Sequence, residues 1–267
     1  MTIHAFIMLL VFALLATVSR ADEPVFYSQV GGDLSWEEII EAGMIPVGEN
    51  SREGITGSVV RVNHDLLNEG EYANRTIVQA IRIHTLGNSF INRRDFGRWS
   101  RWYQEDGNTQ IFRLFEGEYN VRNQRPNSAR IEAFSAHRWH KGDGWQEWTG
   151  RVTLVNPVGA IFQIKAPGPV DWPLMITAAG TNTISINRRG KDRNLVETGR
   201  QFDLRVRDNG YDYEVYVDGD LKVTGSYDRQ GLHSTFRWGM YVGGRTRPAH
   251  DAMLLVTGAT VTSGHAE

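Results

Sequence analysis

The feature that most constrains the fold is a long succession of short β-type runs that begins near residue 58 and continues to the C-terminus. The runs alternate apolar and polar residues and are separated by turn formers such as Asp208-Asn209-Gly210 and Asp218-Gly219-Asp220. No helix-strand alternation accompanies them, so a parallel α/β sheet is not indicated. The main runs are 58–62, 76–84, 109–114, 129–134, 150–155, 160–165, 174–177, 183–188, 201–207, 213–217, 221–224, 236–242 and 252–261. This pattern predicts an all-β sandwich or jelly roll of two antiparallel sheets.

The N-terminal residues 1–21 have the pattern of a secretory signal peptide. An apolar run at 7–15 is followed by the small-residue cleavage site Ser19-Arg20-Ala21, and the run is short for a membrane anchor. We therefore expect a secreted or periplasmic protein whose single domain covers residues 22–267. The sequence Ser35-Trp36-Glu37-Glu38 is a capping box and predicts one short helix at about 36–43.

Composition excludes several classes of function. The chain of 267 residues has a formal net charge of -2, so no general attraction to nucleic acid or to a membrane surface follows. The absence of cysteine excludes disulfides, cysteine-ligated zinc and thiol catalysis. The pair His137 and His140 lacks the further ligands that a zinc site needs. We expect a monomer without a metal ion or a cofactor.

The run 236–241 separates into two faces when it is read with a period of two. Phe236, Trp238 and Met240 form an apolar face that suits a core, whereas Arg237 and Tyr241 fall on the other face. A strand of this kind could form the floor of a binding groove. Half-buried antiparallel strands also show polar residues to water without any function, so the run alone decides nothing.

Two earlier runs have polar faces of the same kind. Arg130 and Glu132 share one face of their strand, and Gln163 and Lys165 share one face of theirs. If the three strands lie in one sheet, these side chains would line a single groove. The alternative is an ordinary soluble surface in which an Arg-x-Glu pair is a cross-strand ion pair.

These three blocks resemble, in the same chain order, the motifs of the alginate lyases of polysaccharide lyase family 7. That family has Arg-(Ser/Thr)-Glu-Leu, then Gln-(Ile/Val)-His, then Tyr-Phe-Lys-Ala-Gly-x-Tyr-x-Gln. The corresponding blocks are Arg130-Ile131-Glu132-Ala133, Gln163-Ile164-Lys165 and Thr235-Phe236-Arg237-Trp238-Gly239-Met240-Tyr241-Val242-Gly243. Lys165 stands in place of the family's histidine, and Gly243 stands in place of its last glutamine. The resemblance covers about residues 128–261.

The resemblance implies a concanavalin A-like jelly roll and a secreted lyase that cuts an acidic, uronate-containing polysaccharide such as alginate or glucuronan by β-elimination. It assigns Arg130 and Gln163 to the uronate carboxylate and Tyr241 to the acid–base role. Lysine retains a positive charge, so we expect Lys165 to assist at the carboxylate. A tyrosine acts as a base only where cations stabilise its phenolate form, and Arg237 and Lys165 are candidates for those cations.

Further residues are candidates for binding substrate. Glu132 and Arg237 belong to the motif blocks, and His84, His137 or His140 could replace the missing histidine. The alternative for each is an ordinary surface or turn histidine. The segment 93–103 mixes four arginines with four aromatic residues, among them Trp99 and Trp102, which suits an anionic sugar chain. Single-stranded nucleic acid would fit the same mixture, but an exported protein rarely meets it. Tryptophans in the core with arginines reaching to solvent are an equally good interpretation.

Two other functions remain open. A non-catalytic carbohydrate-binding sandwich could use the same groove. A jelly-roll glycoside hydrolase is less favoured, because hydrolysis needs two carboxylic acids across the scissile bond and Glu132 has no evident partner in the sequence.

Overall fold

The fold is that of a computed structural model of the chain. The structure describes residues 60–61, 78–84, 102–106, 108–117, 129–135, 137–166, 171–229, 233–243 and 247–263. For 60–61, 78–84 and 104–106, the backbone alone is described. The predicted signal peptide, the predicted helix at 36–43 and Trp99 lie outside the described residues.

Every regular element among the described residues is a β-strand. The strands are β1 (Val60–Arg61), β2 (Val78–His84), β3 (Tyr103–Asp106), β4 (Thr109–Leu114), β5 (Arg130–Ser135), β6 (Gln146–Asn156), β7 (Ala160–Lys165), β8 (Leu174–Ala178), β9 (Thr183–Arg188), β10 (Asn194–Glu197), β11 (Gln201–Asp208), β12 (Asp212–Val217), β13 (Asp220–Ser226), β14 (Thr235–Tyr241) and β15 (Ala252–Ser263). In this part of the chain, no helix is long and apolar enough to cross a membrane.

The strands form two antiparallel sheets. The first sheet has the order β1-β2-β5-β14-β7-β8-β9-β10, and the second has the order β13-β12-β11-β6-β15-β4-β3. Their apolar faces form one core, so the predicted two-sheet sandwich is confirmed. The sequence pattern missed two short strands, β3 and β10. In β10 the two apolar residues, Leu195 and Val196, are adjacent and give no period-two signal, and Leu195 is 69% exposed.

The centre of the core is a chain of aromatic rings that joins the two sheets. Trp148 of β6 lies 5.8 Å from Trp238 of β14 and 4.9 Å from Phe162 of β7, measured between ring centroids. Phe236 of β14 continues the chain, with its centroid 4.5 Å from that of Trp139. Tilted aromatic pairs of this kind each add about 0.5–1.5 kcal/mol beyond the burial of their area. The inner faces of β7 and β14 are therefore fixed against the second sheet.

A buried hydrogen-bond chain also ties β14 to the second sheet. Trp238 Nε1 donates to Gln110 Oε1 at 2.6 Å, and Gln110 Nε2 donates to the Tyr103 hydroxyl at 2.9 Å. Each of these residues is 1% exposed or less. Because a buried indole N–H is costly without an acceptor, this chain specifies which side chain of β14 faces inward.

A buried ion pair fastens the segment between β13 and β14. Arg229 Nη2 donates to Asp208 Oδ2 at 2.8 Å, and Trp139 Nε1 donates to the other oxygen of the same carboxylate at 3.0 Å. Asp208 is fully buried and Arg229 is 1% exposed. Removing one partner of such a pair would leave an uncompensated buried charge, so the contact holds Arg229 against the end of β11.

Gly239 allows β14 to pass between its two neighbours. Between the pairs Trp238–Phe162 and Tyr241–Ala160, β14 has one more residue than β7, which is a β-bulge. Gly239 has a φ of +122°, and a Cβ at this position would lie 2.3 Å from the carbonyl oxygen of Ile131. Both the backbone conformation and the close approach of β5 therefore require glycine.

We expect Gly239→Ala to lower the free energy of unfolding by at least about 2 kcal/mol, because it combines backbone strain with a clash against β5. Gly219→Ala is the matched control, since Gly219 also has a positive φ, +85°, but no atom lies within 4 Å of the added Cβ. Urea unfolding of the two variants measures the difference. Equal losses of stability would show that the close approach of β5 is unimportant.

Candidate functional site

The candidate site is a row of polar side chains on three neighbouring strands of the first sheet. β14 pairs with β5 on one side and with β7 on the other. Tyr241 lies opposite Arg130, Gly239 lies opposite Glu132, and Arg237 lies opposite Gln163. We call Arg130, Glu132, Gln163, Arg237 and Tyr241 the polar row. The structure therefore brings together on one sheet the three blocks that the sequence separates by 30 to 70 residues or more.

Glu132 is the centre of the polar row. It is only 2% exposed, and both of its carboxylate oxygens accept hydrogen bonds. Gln163 Nε2 donates to Oε1 at 2.5 Å, and Arg130 Nη1 donates to Oε2 at 3.3 Å. A buried carboxylate needs such donors, and in binding them it fixes the orientation of the amide and of the guanidinium. Glu132 thus positions Arg130 and Gln163 through these two hydrogen bonds.

Tyr241 is half-buried and lies against a cation. The guanidinium carbon of Arg130 is 4.2 Å from the centroid of the Tyr241 ring. The sequence led us to expect Arg237 and Lys165 as the cations beside this phenol, and the structure places Arg130 there instead. The physical reason is the register, which pairs Tyr241 with Arg130 across β14 and β5.

Lys165 lies at the other end of the three strands. It pairs with Thr235, six residues before Tyr241 on β14, which is about 20 Å along an extended strand. Its ammonium group forms an ion pair with the carboxylate of Asp171. Burial lowers the pKa of Lys165, and the charge of Arg237 lowers it further, whereas Asp171 and Glu132 act in the opposite direction. Along the strands, Lys165 therefore lies far from the phenol of Tyr241.

Arg237 lies between these two ends. Its guanidinium carbon is 4.1 Å from the centroid of the Phe134 ring. Phe134 is the residue opposite Arg237 on β5, and it is 8% exposed. The alternation of β5 puts Phe134 on the same side as Arg130 and Glu132, so the sequence pattern itself indicates that Phe134 is available for this contact.

The histidine candidates have different outcomes. His84 of β2 lies opposite Arg130 in the pairing of β2 with β5, next to the polar row; only its backbone is described. His137 is exposed, and its Nε2 lies 3.2 Å from the Ser263 hydroxyl at the end of β15. His137 also stacks on Trp139, with ring centroids 6.1 Å apart. One of its two contacts is therefore with the second sheet.

The arginine-aromatic segment proves to contribute to the core where it is described. Trp102 has no exposed surface, and Tyr103 is 1% exposed. A sugar ring needs an accessible aromatic face, so the prediction that Trp102 contacts substrate does not fit its position. The alternative interpretation, a core tryptophan, accounts for Trp102.

Sequence reasoning missed Asp171 altogether. This residue has a φ of +51° and follows β7 in the chain. Its backbone oxygen accepts a hydrogen bond from the Ala166 N–H at 2.9 Å. This hydrogen bond holds Asp171 next to the end of β7, where its carboxylate contacts Lys165. An acidic residue in a loop carries no periodic signal, so the sequence offered no indication of this contact. Within the described residues, no group of three His, Asp or Glu side chains could hold a metal ion.

No protein-family model matches the chain, and no curated protein matches it significantly. Solved structures do match. The alginate lyase from Corynebacterium sp. has a TM-score of 0.56 at 15% identity, over 72% of this chain and 98% of the other.

Two further alginate lyases have the same fold. Alginate lyase A1-II', a member of polysaccharide lyase family 7, has a TM-score of 0.51 at 14% identity, over 62% of this chain and 84% of its own. The marine family 7 alginate lyase AlyA1 from Zobellia galactanivorans has a TM-score of 0.50 at 13% identity, over 67% of this chain and 84% of its own. The chain therefore resembles the family 7 alginate lyases distantly and shares their jelly-roll fold.

Proposed function

We propose that this protein is a secreted polysaccharide lyase that cleaves a uronate-containing polysaccharide, such as alginate or glucuronan, by β-elimination. The observation that supports the proposal best is the polar row, in which Arg130, Gln163 and Tyr241 lie on neighbouring strands around Glu132. The shared fold with alginate lyases is consistent with it.

In this mechanism, Arg130 and Gln163 bind the carboxylate of the reacting sugar. Each of them gives one N–H to Glu132 and retains others that can donate. A substrate carboxylate would supply acceptors, and these donors would stabilise the negative charge that grows on it when C5 loses its proton.

Tyr241 moves the proton. As phenolate it takes the proton from C5, and the electron pair of the broken C–H bond forms the C4–C5 double bond. The bond from C4 to the glycosidic oxygen breaks, and the phenol returns the proton to that leaving oxygen. No water is consumed. The guanidinium carbon of Arg130 lies 4.2 Å from the centroid of the Tyr241 ring, so the donor for the carboxylate and the acid–base group lie side by side.

A non-catalytic carbohydrate-binding protein is the second candidate, since the same donors would hold an acidic sugar without cutting it.

The hydrolase alternative finds less support. Hydrolysis needs two available carboxylic acids, whereas Glu132 is engaged by Arg130 and Gln163, and Asp171 is engaged by Lys165.

Absorbance of the new double bond in the ultraviolet tests the proposal directly. With alginate, glucuronan, pectate and glycosaminoglycans as a panel, we expect the wild-type protein to generate absorbance from at least one polymer. Tyr241→Phe should lower that rate by about 10²–10⁴, the usual contribution of a general acid–base group. Tyr216→Phe is the matched control, because Tyr216 bonds Glu214 on the second sheet, and it should retain the full rate.

Full activity in Tyr241→Phe would contradict the role of this residue. No absorbance from any polymer, together with binding to one of them, would support the non-catalytic candidate.

Glu132→Gln tests the centre of the polar row. The neutral side chain retains its shape, but it leaves Arg130 and Gln163 to compete for one good acceptor. We expect kcat/KM to fall by about 10- to 100-fold, since hydrogen bonds to a charged group contribute about 1.5–3 kcal/mol. Glu147→Gln removes a comparable charge from Arg205 and Arg207 on the second sheet and should change kcat/KM little. Equal effects of the two variants would contradict the role of Glu132.

A further inference from the structure

The pair of Lys165 and Asp171 lies at the end of the polar row and has no part in the proton transfer described above. Lys165 is two residues beyond Gln163 on β7, which is about 7 Å along the strand, on the side away from Tyr241. A linear sugar chain that places one carboxylate at Arg130 and Gln163 and follows the strands would bring its next residue toward Lys165. The position of the ammonium group therefore suits the carboxylate of a neighbouring sugar.

The surroundings of Lys165 stabilise its positive charge poorly unless an anion contacts the ammonium group. Its side chain is only 20% exposed, so water solvates the charge poorly. The positive charge of Arg237 lowers the pKa of Lys165, and the negative charge of Glu132 raises it. Glu132 already accepts hydrogen bonds from Arg130 and Gln163. Among the described residues, the carboxylate that contacts Lys165 is that of Asp171.

Asp171 has the chemistry of the ligand that Lys165 would bind. A uronate presents a carboxylate, and Asp171 presents one to the same ammonium group in the free protein. The Asp171 side chain is 50% exposed, so a dissolved anion can reach the place that it occupies. Its φ of +51° is a conformation that costs free energy in residues other than glycine, although aspartate tolerates it better than most.

We propose that Lys165 binds the carboxylate of a uronate next to the reacting sugar, and that Asp171 occupies this place until the substrate displaces it. The inference rests on the proposed function, because it assumes a polyuronate in the polar row. It makes the site selective for consecutive uronates. A neutral sugar at this position offers nothing to exchange for Asp171, whereas a carboxylate replaces one anion with another.

The proposal predicts opposite effects for the two halves of the pair. Lys165→Met removes the cation and should weaken polyuronate binding about five- to tenfold, as expected for one partly exposed charge-assisted contact. Asp171→Asn removes the competing anion and should tighten binding about threefold. Lys165→Arg retains the charge and is the matched control, expected to remain within about twofold of the parent.

Isothermal titration calorimetry with hexasaccharides of mannuronate, guluronate and glucuronate measures these changes. All variants are made in a Tyr241→Phe background, so that cutting does not interfere, and thermal melting confirms that each is folded. Cellohexaose is the neutral control and should not distinguish the variants. Opposite shifts in Kd for at least one acidic hexasaccharide support the proposal.

Shifts in the same direction, or no shift in either variant, would overturn it and leave Lys165 and Asp171 as a structural ion pair. The ultraviolet assay on the chain with Tyr241 intact separates this result from the proposed function. Cutting without opposite shifts refutes only the role of Lys165, and opposite shifts without cutting refute only the lyase. Absence of binding to every acidic hexasaccharide overturns the role of Lys165, and the ultraviolet assay then decides the lyase independently.

Discussion

The arrangement of the site depends on how β14 is fixed between β5 and β7. Trp238 donates a buried hydrogen bond to Gln110 of the second sheet, and this contact determines which side of β14 faces the core. Gly239 then lets β5 approach more closely than any side chain would allow. Since successive residues of a strand alternate between faces, Arg237 and Tyr241 are directed to the opposite side from Trp238. The apolar half of the strand thus positions its polar half.

Around β14, a single buried carboxylate organises the donors. Glu132 of β5 accepts hydrogen bonds from Arg130 of the same strand and from Gln163 of β7, on the far side of β14. These two hydrogen bonds fix the orientations of the guanidinium and of the amide. Burying a carboxylate costs free energy that these hydrogen bonds offset. The gain for chemistry is pre-organisation, because donors that are already oriented need no rearrangement when negative charge develops on a substrate.

Prediction from sequence succeeded where a local period decides the structure. The alternation of Phe236, Trp238 and Met240 with Arg237 and Tyr241 predicted both faces of β14, and the many short runs predicted the two-sheet sandwich. Prediction failed where register or a loop decides. Period-two patterning does not say which residue of β5 lies opposite Tyr241, so Arg130 was not foreseen as its cation. Asp171 lies outside the strands, where no period applies, and Trp102 belongs to a segment whose mixed composition fits a core and a sugar site equally well.

The central claim is that a uronate carboxylate binds between Arg130 and Gln163, with C5 of the same sugar facing residue 241. A crystal structure of Tyr241→Phe with a bound acidic hexasaccharide tests it most directly. We expect one carboxylate within hydrogen-bonding distance of Arg130 and Gln163, and its C5 next to the ring of residue 241. A hexasaccharide bound on the second sheet, or bound on the first with its carboxylates away from these two side chains, would contradict the claim.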